Sequence, residues 1–480
     1  MSSSQGSRDI LALGAVEAAA QIRAGRLGCA ELVRAHVGLM RERNPALNAI
    51  TLDCGDQAIE AASTADRTLA TMRREGTEPG PLFGLPVTIK ENIDVAGQAT
   101  PNGVPAFRDL IATEDSPVAR NLNRAGAILI GRTNTPEYSF RAFTDNPLHG
   151  LTRNPWDPAI TCGGSSGGAG AAAAAGIACI NHGNDIGGSL RYPAYCNGVA
   201  TIKPTFGRVP AFNPSQLAER PALMQMMSVQ GPIARNVADA RLGLAAMAIG
   251  DPRDPWWVPA PLAGEAEPPR VAVPAALDRA DLHPAVRNAI AQAAEHLAAS
   301  GYVVERVDAP AVEPVMKLWI DLAFAEMRVM QDAAMRPNMS EAMAGIVDAY
   351  YAMAEPLEAG GYMAGLAARA HHLREWQVFL ARYSVMLTPL SFDPPYPVGE
   401  DLKGAARVAE IFDRFRWMSS INLLGLPAAI VSTGLHDGAP IGVQLVGRRF
   451  REDLCLDAAQ AIEDRVGVVS ERLRDRENRT

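Results

Sequence analysis

The chain has 480 residues, 48% of them hydrophobic and 20% charged, with a formal net charge of −8. This is the composition of a globular protein with a large core. The acidic balance and the scattered Lys and Arg exclude a broad nucleic-acid surface, and no apolar run reaches the length of a membrane span. The opening MSSSQGSRDILALG has no basic segment followed by an apolar one, so no secretory leader is expected. Residues 8–75 are predicted helical, with apolar residues at helical spacing and stops at Gly25 and Gly76. PLFGLPVTIKENIDVAG predicts turn, strand, turn, with β-branched Val87, Ile89 and Val95 between Pro and Gly. VARNLNRAGAILIGRTN (118–134) predicts a helix, a glycine stop and a strand, the alternation of an α/β protein. A glycine-rich run, CGGSSGGAGAAAAAG (162–176), leads into an alanine helix, and GNDIGGSLRYP (183–193) places a second serine after glycines. The Pro/Gly-rich stretch 251–269 is a candidate seam or a long surface loop. RVAVPA and YVVERV are strands around the helix HPAVRNAIAQAAEHLAASG. Residues 311–385 are predicted helical, and thirteen of the 17 methionines lie between 220 and 390. NLLGLPAAIVSTG and APIGVQLVG predict two more strands before a closing helix with a mixed-charge tail.

The six cysteines are widely spaced with no C-x-x-C, which predicts reduced thiols and a cytoplasmic setting. His371 and His372 are adjacent and there is no H-E-x-x-H, so no metal is expected. The glycine-rich run lacks the Lys-Ser/Thr end of a phosphate loop and the third glycine of a dinucleotide fingerprint. Residues 163–167 fit G-x-S-x-G, but TRNPWDPAITC before them is no apolar strand, as a nucleophile elbow requires. The plain alternative is a tight turn feeding a close-packed alanine helix. Ser189 follows two glycines, where backbone N–H groups approach a substrate oxygen unhindered; the plain alternative is again a turn. Lys90 stands alone in an apolar strand, either as a reactive amine or as a solvated end on a packed stem.

Six stretches taken together run in order from about residue 82 to 447: PLFGLPVTIKENIDVAG, AGAILIGRTNTPEYS, GLTRNPWDPAITCGGSSGG, GNDIGGSLRYPAYCNGVATIKPTFGRV, GPIARNVADA and NLLGLPAA…GAPIGVQLVG. With them the chain resembles the amidase signature family, whose members use a Ser–cis-Ser–Lys triad. The resemblance implies an α/β fold with a large central mixed β-sheet flanked by helices on both sides. It also implies effectively one domain: an N-terminal helical segment 1–75 packing on the core, then 76–480, with a catalytic core at about 82–250 and a helical lid or pocket region at about 311–385. Residue by residue, it makes Lys90 the base, Ser165 the bridging cis-serine and Ser189 the nucleophile. Ile186, Gly187, Gly188 and Ser189 N–H groups would line the oxyanion hole, with Ser166, Asp185 and Arg191 in support. The chain departs from the family pattern at Asn184 (usually Thr) and Cys162 (usually Pro). NHGND replaces a more apolar approach, and TPL (388–390) replaces Thr-Pro-Thr.

The implied reaction is hydrolysis of a carboxamide C–N bond through an acyl-enzyme, without metal or organic cofactor. Serine needs a base, and a lysine serves only when neutral, a state that burial favours. Tyr138, Ser139, Phe140, Arg141, Gly164, Met227, Trp319 and Leu390 are the expected substrate contacts, with the Met-rich 220–390 region as pocket wall or plain helical core. The expected substrate is a small aryl or alkyl amide, with carbamates (urethanes) not excluded because they present the same carbonyl. The expected protein is a monomer or homodimer without nucleic-acid or membrane partners. Two rivals are the glutaminase subunit of a tRNA-dependent amidotransferase, which would need paired charges for glutamine, and a non-catalytic scaffold.

Overall fold

The computed structural model describes residues 9–216, 218–278 and 280–477. The first eight residues, within the stretch read as leader-free, and the last three of the mixed-charge tail lie outside the described residues. The segment PVTIK forms strand β2 (Pro86–Lys90) with every residue buried, as a strand covered on both faces requires. Before it come two long helices, Cys29–Leu47 and Gly55–Glu75, and between them a short strand, β1 (Ile50–Asp53). This strand corrects the reading of 8–75 as helical throughout. The helix stops because Asn48 adopts the left-handed conformation (φ 52°), and Asn44 Oδ1 accepts the N–H groups of Ala49 and Ile50.

Strand β3 (Ile128–Thr133) follows the helix Pro117–Arg124, which Ser116 caps by accepting the N–H of Ala119. The remaining strands are β4 (Ile180–Asp185), β5 (Ala200–Lys203), β6 (Val229–Ala234), β7 (Arg270–Pro274), β8 (Val303–Val307), β9 (Val385–Thr388), β10 (Ala428–His436) and β11 (Ala439–Val446). All of them join one mixed sheet in the order β1-β3-β2-β4-β6-β5-β10-β11-β9-β7-β8. Strands β2, β3 and β4 run parallel, as do β7, β8 and β9, and antiparallel pairs join these blocks through the middle of the sheet. Helices flank the sheet. The stretch NLLGL is not strand, as expected, but the end of the helix Arg416–Leu424. Gly425 (φ 64°) stops that helix before β10 begins.

Strand β4, INHGND, is polar and yet buried. Most of its polar side-chain atoms are paired internally: Thr88 Oγ1 donates to Asn181 Oδ1 at 2.7 Å and His182 Nε2 meets Gln230 Oε1 at 2.9 Å, while His182 Nδ1 has no partner among the described residues. The predicted alanine helix spans Gly167–Ala174, with all eight residues buried against β2, β3, β4 and β6. Side chains this small let its backbone lie close to the sheet. All six cysteines are buried and unpaired, and among the described residues no helix is long and apolar enough to cross a membrane.

Candidate active site

Three segments converge at the ends of β2 and β4. Lys90 is the last residue of β2 and is fully buried, Ser165 sits in the glycine-rich loop before the alanine helix, and Ser189 lies in the loop after β4. Lys90 Nζ is 2.7 Å from Ser165 Oγ and donates to Asn184 Oδ1 at 2.8 Å. The Asn184 amide is oriented by its own donation to Asn92 Oδ1 at 3.0 Å, so its oxygen faces the lysine. Burial pushes the Lys90 ammonium well below its ordinary pKa, against the opposing charges of Asp185 and Glu91.

The peptide bond between Gly164 and Ser165 is cis. A Cβ on Gly164 would stand 2.6 Å from the backbone of Arg141, Ala142 and Phe143, so only glycine admits that segment. Ser166 fastens the loop to β4: its Oγ donates to Asn184 O at 3.2 Å and accepts the N–H of Asn184 at 3.3 Å. Its backbone N–H donates to Ser189 O at 3.2 Å, which brings the two serine loops together.

Asp185 and Arg191 form a fully buried pair, Arg191 Nε to Asp185 Oδ2 at 3.0 Å. Burial raises the Asp185 pKa, but the charge and hydrogen bonds of Arg191 outweigh it and hold the carboxyl well below the usual range. The Arg191 guanidinium also donates to Met418 O and Gln444 Oε1 at 2.8 and 2.7 Å. Asp185 Oδ1 accepts the N–H of Gly188 at 2.7 Å, and Oδ2 that of Leu190 at 3.1 Å. The expected hole is therefore corrected at one position, because the Gly188 N–H is already engaged. The N–H groups of Ile186, Gly187 and Ser189 make no hydrogen bond among the described residues. Trp319 Nε1 donates to Ile186 O at 3.3 Å and Ser419 Oγ to Gly187 O at 3.0 Å, fixing both peptide planes. Gly188 (φ 127°) lies against Met418, with no room for a side chain.

Two cavities meet here. One, of about 90 Å³, opens on Ser189, Gly187 and Gly164 and is walled by Met224, Met227, Trp319, Phe324, Met327, Tyr350, Phe412 and Met418. Its rings pack tightly: Phe324 stacks on Tyr350 with centroids 4.9 Å apart, and Trp319 meets Phe324 edge-on at 5.5 Å. Among the described residues the only charges on its wall are Arg141 and Asp401, closed on each other through two hydrogen bonds of 2.8 and 3.0 Å. The other cavity, about 520 Å³, opens on Ser165 and Asn184 and carries polar side chains such as Asn92, Asn102, Asn213 and Gln230. Ser139, Phe140, Ile186 and Met224 border both.

Most of the expected contacts line these spaces: Ser139, Phe140, Arg141, Gly164, Met227 and Trp319 the apolar cavity, and Tyr138 the polar one. Leu390 lines neither. It is buried in the core just beyond β9, so its assignment as a substrate contact is corrected. The helix Ala359–Leu380, within the expected pocket region, contributes to neither cavity. Sequence reasoning missed Asn92 as the partner of Asn184, and also Phe324, Tyr350 and Phe412. The rings sit on separate helices, and only packing brings them to one wall.

The chain matches the Amidase family over residues 31–456. It is 54% identical to an indoleacetamide hydrolase of Bradyrhizobium diazoefficiens, covering 96% of this chain and 87% of that protein. It is 32% identical to a subunit of the glutamyl-tRNA(Gln) amidotransferase of Moorella thermoacetica, covering 85% of this chain and 87% of that protein. Among solved structures, a bacterial aryl acylamidase of the amidase signature enzymes superposes with a TM-score of 0.80 at 25% identity, covering 96% of this chain and 98% of the other.

Proposed function

The chain belongs to the amidase signature family and hydrolyses the C–N bond of carboxamides, and we propose that its substrates are primary arylacetamides of the indoleacetamide kind, cleaved through an acyl-enzyme on Ser189. The observation that carries the substrate is the aromatic-walled cavity opening on Ser189. Its walls include Trp319, Phe324, Tyr350 and Phe412, which offer ring faces and edges to a flat aryl group. Its charge pair is closed on itself, which favours an uncharged aryl group over glutamine.

Ser189 Oγ attacks the amide carbon while its proton passes to Ser165 Oγ, and the Ser165 proton passes to Lys90 Nζ. Lys90 accepts it because burial favours the neutral amine. The hydrogen bond from Lys90 to Asn184 occupies one amine proton and leaves the lone pair for Ser165. The carbonyl oxygen gains its charge against the N–H groups of Ile186, Gly187 and Ser189. The proton returns along the same path to the leaving nitrogen, ammonia departs, and water repeats the sequence to release the arylacetate. The buried Asp185–Arg191 pair holds the loop in this shape. The unpaired, buried cysteines support a reducing, cytoplasmic setting, and the reading needs no partner chain beyond a monomer or homodimer.

The test is kcat/KM on indoleacetamide, phenylacetamide, acetamide and glutamine. Burying an aromatic ring of about 150 Å² at roughly 25 cal/mol/Å² is worth several kcal/mol, so the aryl amides should exceed acetamide by about 10²-fold or more. Turnover of glutamine alone would overturn the reading.

A further inference from the structure

Ammonia needs almost no room, yet the cavity on the Ser165 side is about 520 Å³. The two serines divide the spaces between them: Ser189 faces the apolar cavity and Ser165 the polar one. In the reaction proposed above, Ser165 hands a proton to the leaving nitrogen, so that nitrogen must lie on the side Ser165 faces. The polar cavity is then where any substituent on the leaving amine would extend.

The charges on its wall are nearly all accounted for. Arg253 is paired with Asp251 at 2.8 Å and with Glu114 at 3.2 Å. Asp254 accepts the N–H groups of Ala211 and Trp256 at 2.8 Å each. Glu219 is exposed and accepts from Gln216 at 3.3 Å. Arg220 differs. Its guanidinium makes one long bond, 3.3 Å to Met224 O, and no ion pair among the described residues. Burial lowers its pKa with no neighbouring carboxylate to oppose the effect. Gln225 holds the Arg220 backbone by donating to its carbonyl at 2.6 Å, and accepts from Trp256 Nε1 at 2.8 Å. The guanidinium thus lines the cavity on a segment held by Gln225, and makes no further hydrogen bond among the described residues.

We propose that this cavity is a leaving-group subsite for amines that carry a carboxylate, so that the enzyme also cleaves N-acyl amino acids, with Arg220 as the carboxylate receptor. The inference rests on the acyl-enzyme reading of the site. The step balances as for the primary amide: the Ser189 Oγ–acyl bond forms, the acyl C–N bond breaks, and the amino acid leaves with the proton returned through Ser165. Water then hydrolyses the ester. A planar guanidinium suits a carboxylate through two parallel hydrogen bonds, and a site built for that contact discriminates against a neutral isostere.

The experiment compares kcat/KM for N-acylglycines with the matching neutral N-acylglycinamides, using arylacetyl, benzoyl and hexanoyl acyl groups. The wild-type protein should cleave both, preferring the carboxylate at least tenfold for each acyl group. Arg220→Gln should cut that ratio about tenfold or more, and Arg220→Lys should restore part of it. Cleavage of primary arylacetamides with no cleavage of either conjugate would overturn the subsite while leaving the proposed substrate class intact. So would a ratio that Arg220→Gln does not change. A carboxylate preference seen with benzoyl and hexanoyl but with no turnover of arylacetyl compounds would sustain the subsite and overturn the arylacetamide reading.

Discussion

Lys90 has no ion-pair partner among the described residues, and its amine is held only by a serine and an asparagine. That environment favours the neutral form, which is what a base requires. Its lowered pKa means that kcat/KM should rise as pH increases through that value and reach a plateau well before pH 10.5, where an ordinary lysine would still be titrating. A pH–rate profile on a neutral amide measures this, and an optimum near pH 5 would contradict the assignment. Lys90→Met should lose about 10³-fold or more in amide kcat with less loss on activated esters, whose leaving groups need no proton. Ser189→Ala should lose at least as much on both, measured by steady-state kinetics with circular dichroism as the folding control. Arg191→Met strands the buried Asp185 carboxylate. Removing one partner of such a pair costs about 3–5 kcal/mol, which denaturant unfolding would read, together with loss of activity as the Ile186–Ser189 loop relaxes. At this scale the sequence was legible. Lys90, Ser165, Ser189, Asp185 and Arg191 follow from the resemblance of their motifs to the amidase signature family, and the fold brings the segments that carry them together. The engagement of the Gly188 N–H was not legible, because it depends on where the Asp185 carboxylate turns.

The short helix Ala222–Met227 shows how an element is set by a distant side chain. Glu326, on the helix Glu313–Met330, accepts the N–H groups of Leu223 and Met224 at 2.9 and 3.0 Å and is bonded by the Tyr362 hydroxyl. This carboxylate caps a helix that brings Met224 and Met227 to the cavity walls. Charge-assisted bonds at a helix N-terminus are worth about 1–2 kcal/mol. Glu326→Gln should therefore raise KM for aryl amides several-fold, with a smaller change in kcat and a lower Tm. An unchanged KM would show that the cap does not govern the wall. Strands β1, β4, β5, β6 and β9 escaped the sequence reading, β1 and β4 for separate reasons. β1 is four residues between two strong helices, and β4 is polar on a buried site, so its period gives no signal. The Met-rich region is wall only in part: Met224, Met227, Met327 and Met335 line the cavities, whereas Met330 and Met363 are exposed and Met343 and Met386 lie in the core.

Across the whole molecule, two histidines are buried in the neutral state. Burial lowers the pKa of His36 to about 4 and that of His182 to about 3, from 6.5. Their neutral forms stabilise the fold fully above pH 6.5, and that stability is lost as pH falls through the window from 6.5 toward 3–4, where the unfolded chain binds protons that the folded chain does not. Each contributes a slope of about 1.4 kcal/mol per pH unit. Glu463, raised by burial to about 7, acts in the opposite sense between 4.5 and 7. Asp239 and Asp254, also raised by burial, oppose the histidines at the acid end of that range, so the expected outcome is a Tm lower at pH 5 than at pH 6.5 by less than the two histidines alone would give; a flat or rising Tm on acidification would contradict the buried-neutral assignment. The sequence by itself determined the α/β class, the long helices and the strands β2, β3, β7, β8, β10 and β11, because periodicity and turn residues are properties of neighbours along the chain; the candidate reactive residues come from the resemblance of its motifs to the family. Only the tertiary structure decided the strand order, the aromatic wall drawn from separate helices, the exclusion of Leu390 from the site, and the division of the two serines between an apolar and a polar cavity. Those depend on contacts between residues tens to hundreds of positions apart, which are settled by packing and by the pairing of buried polar groups.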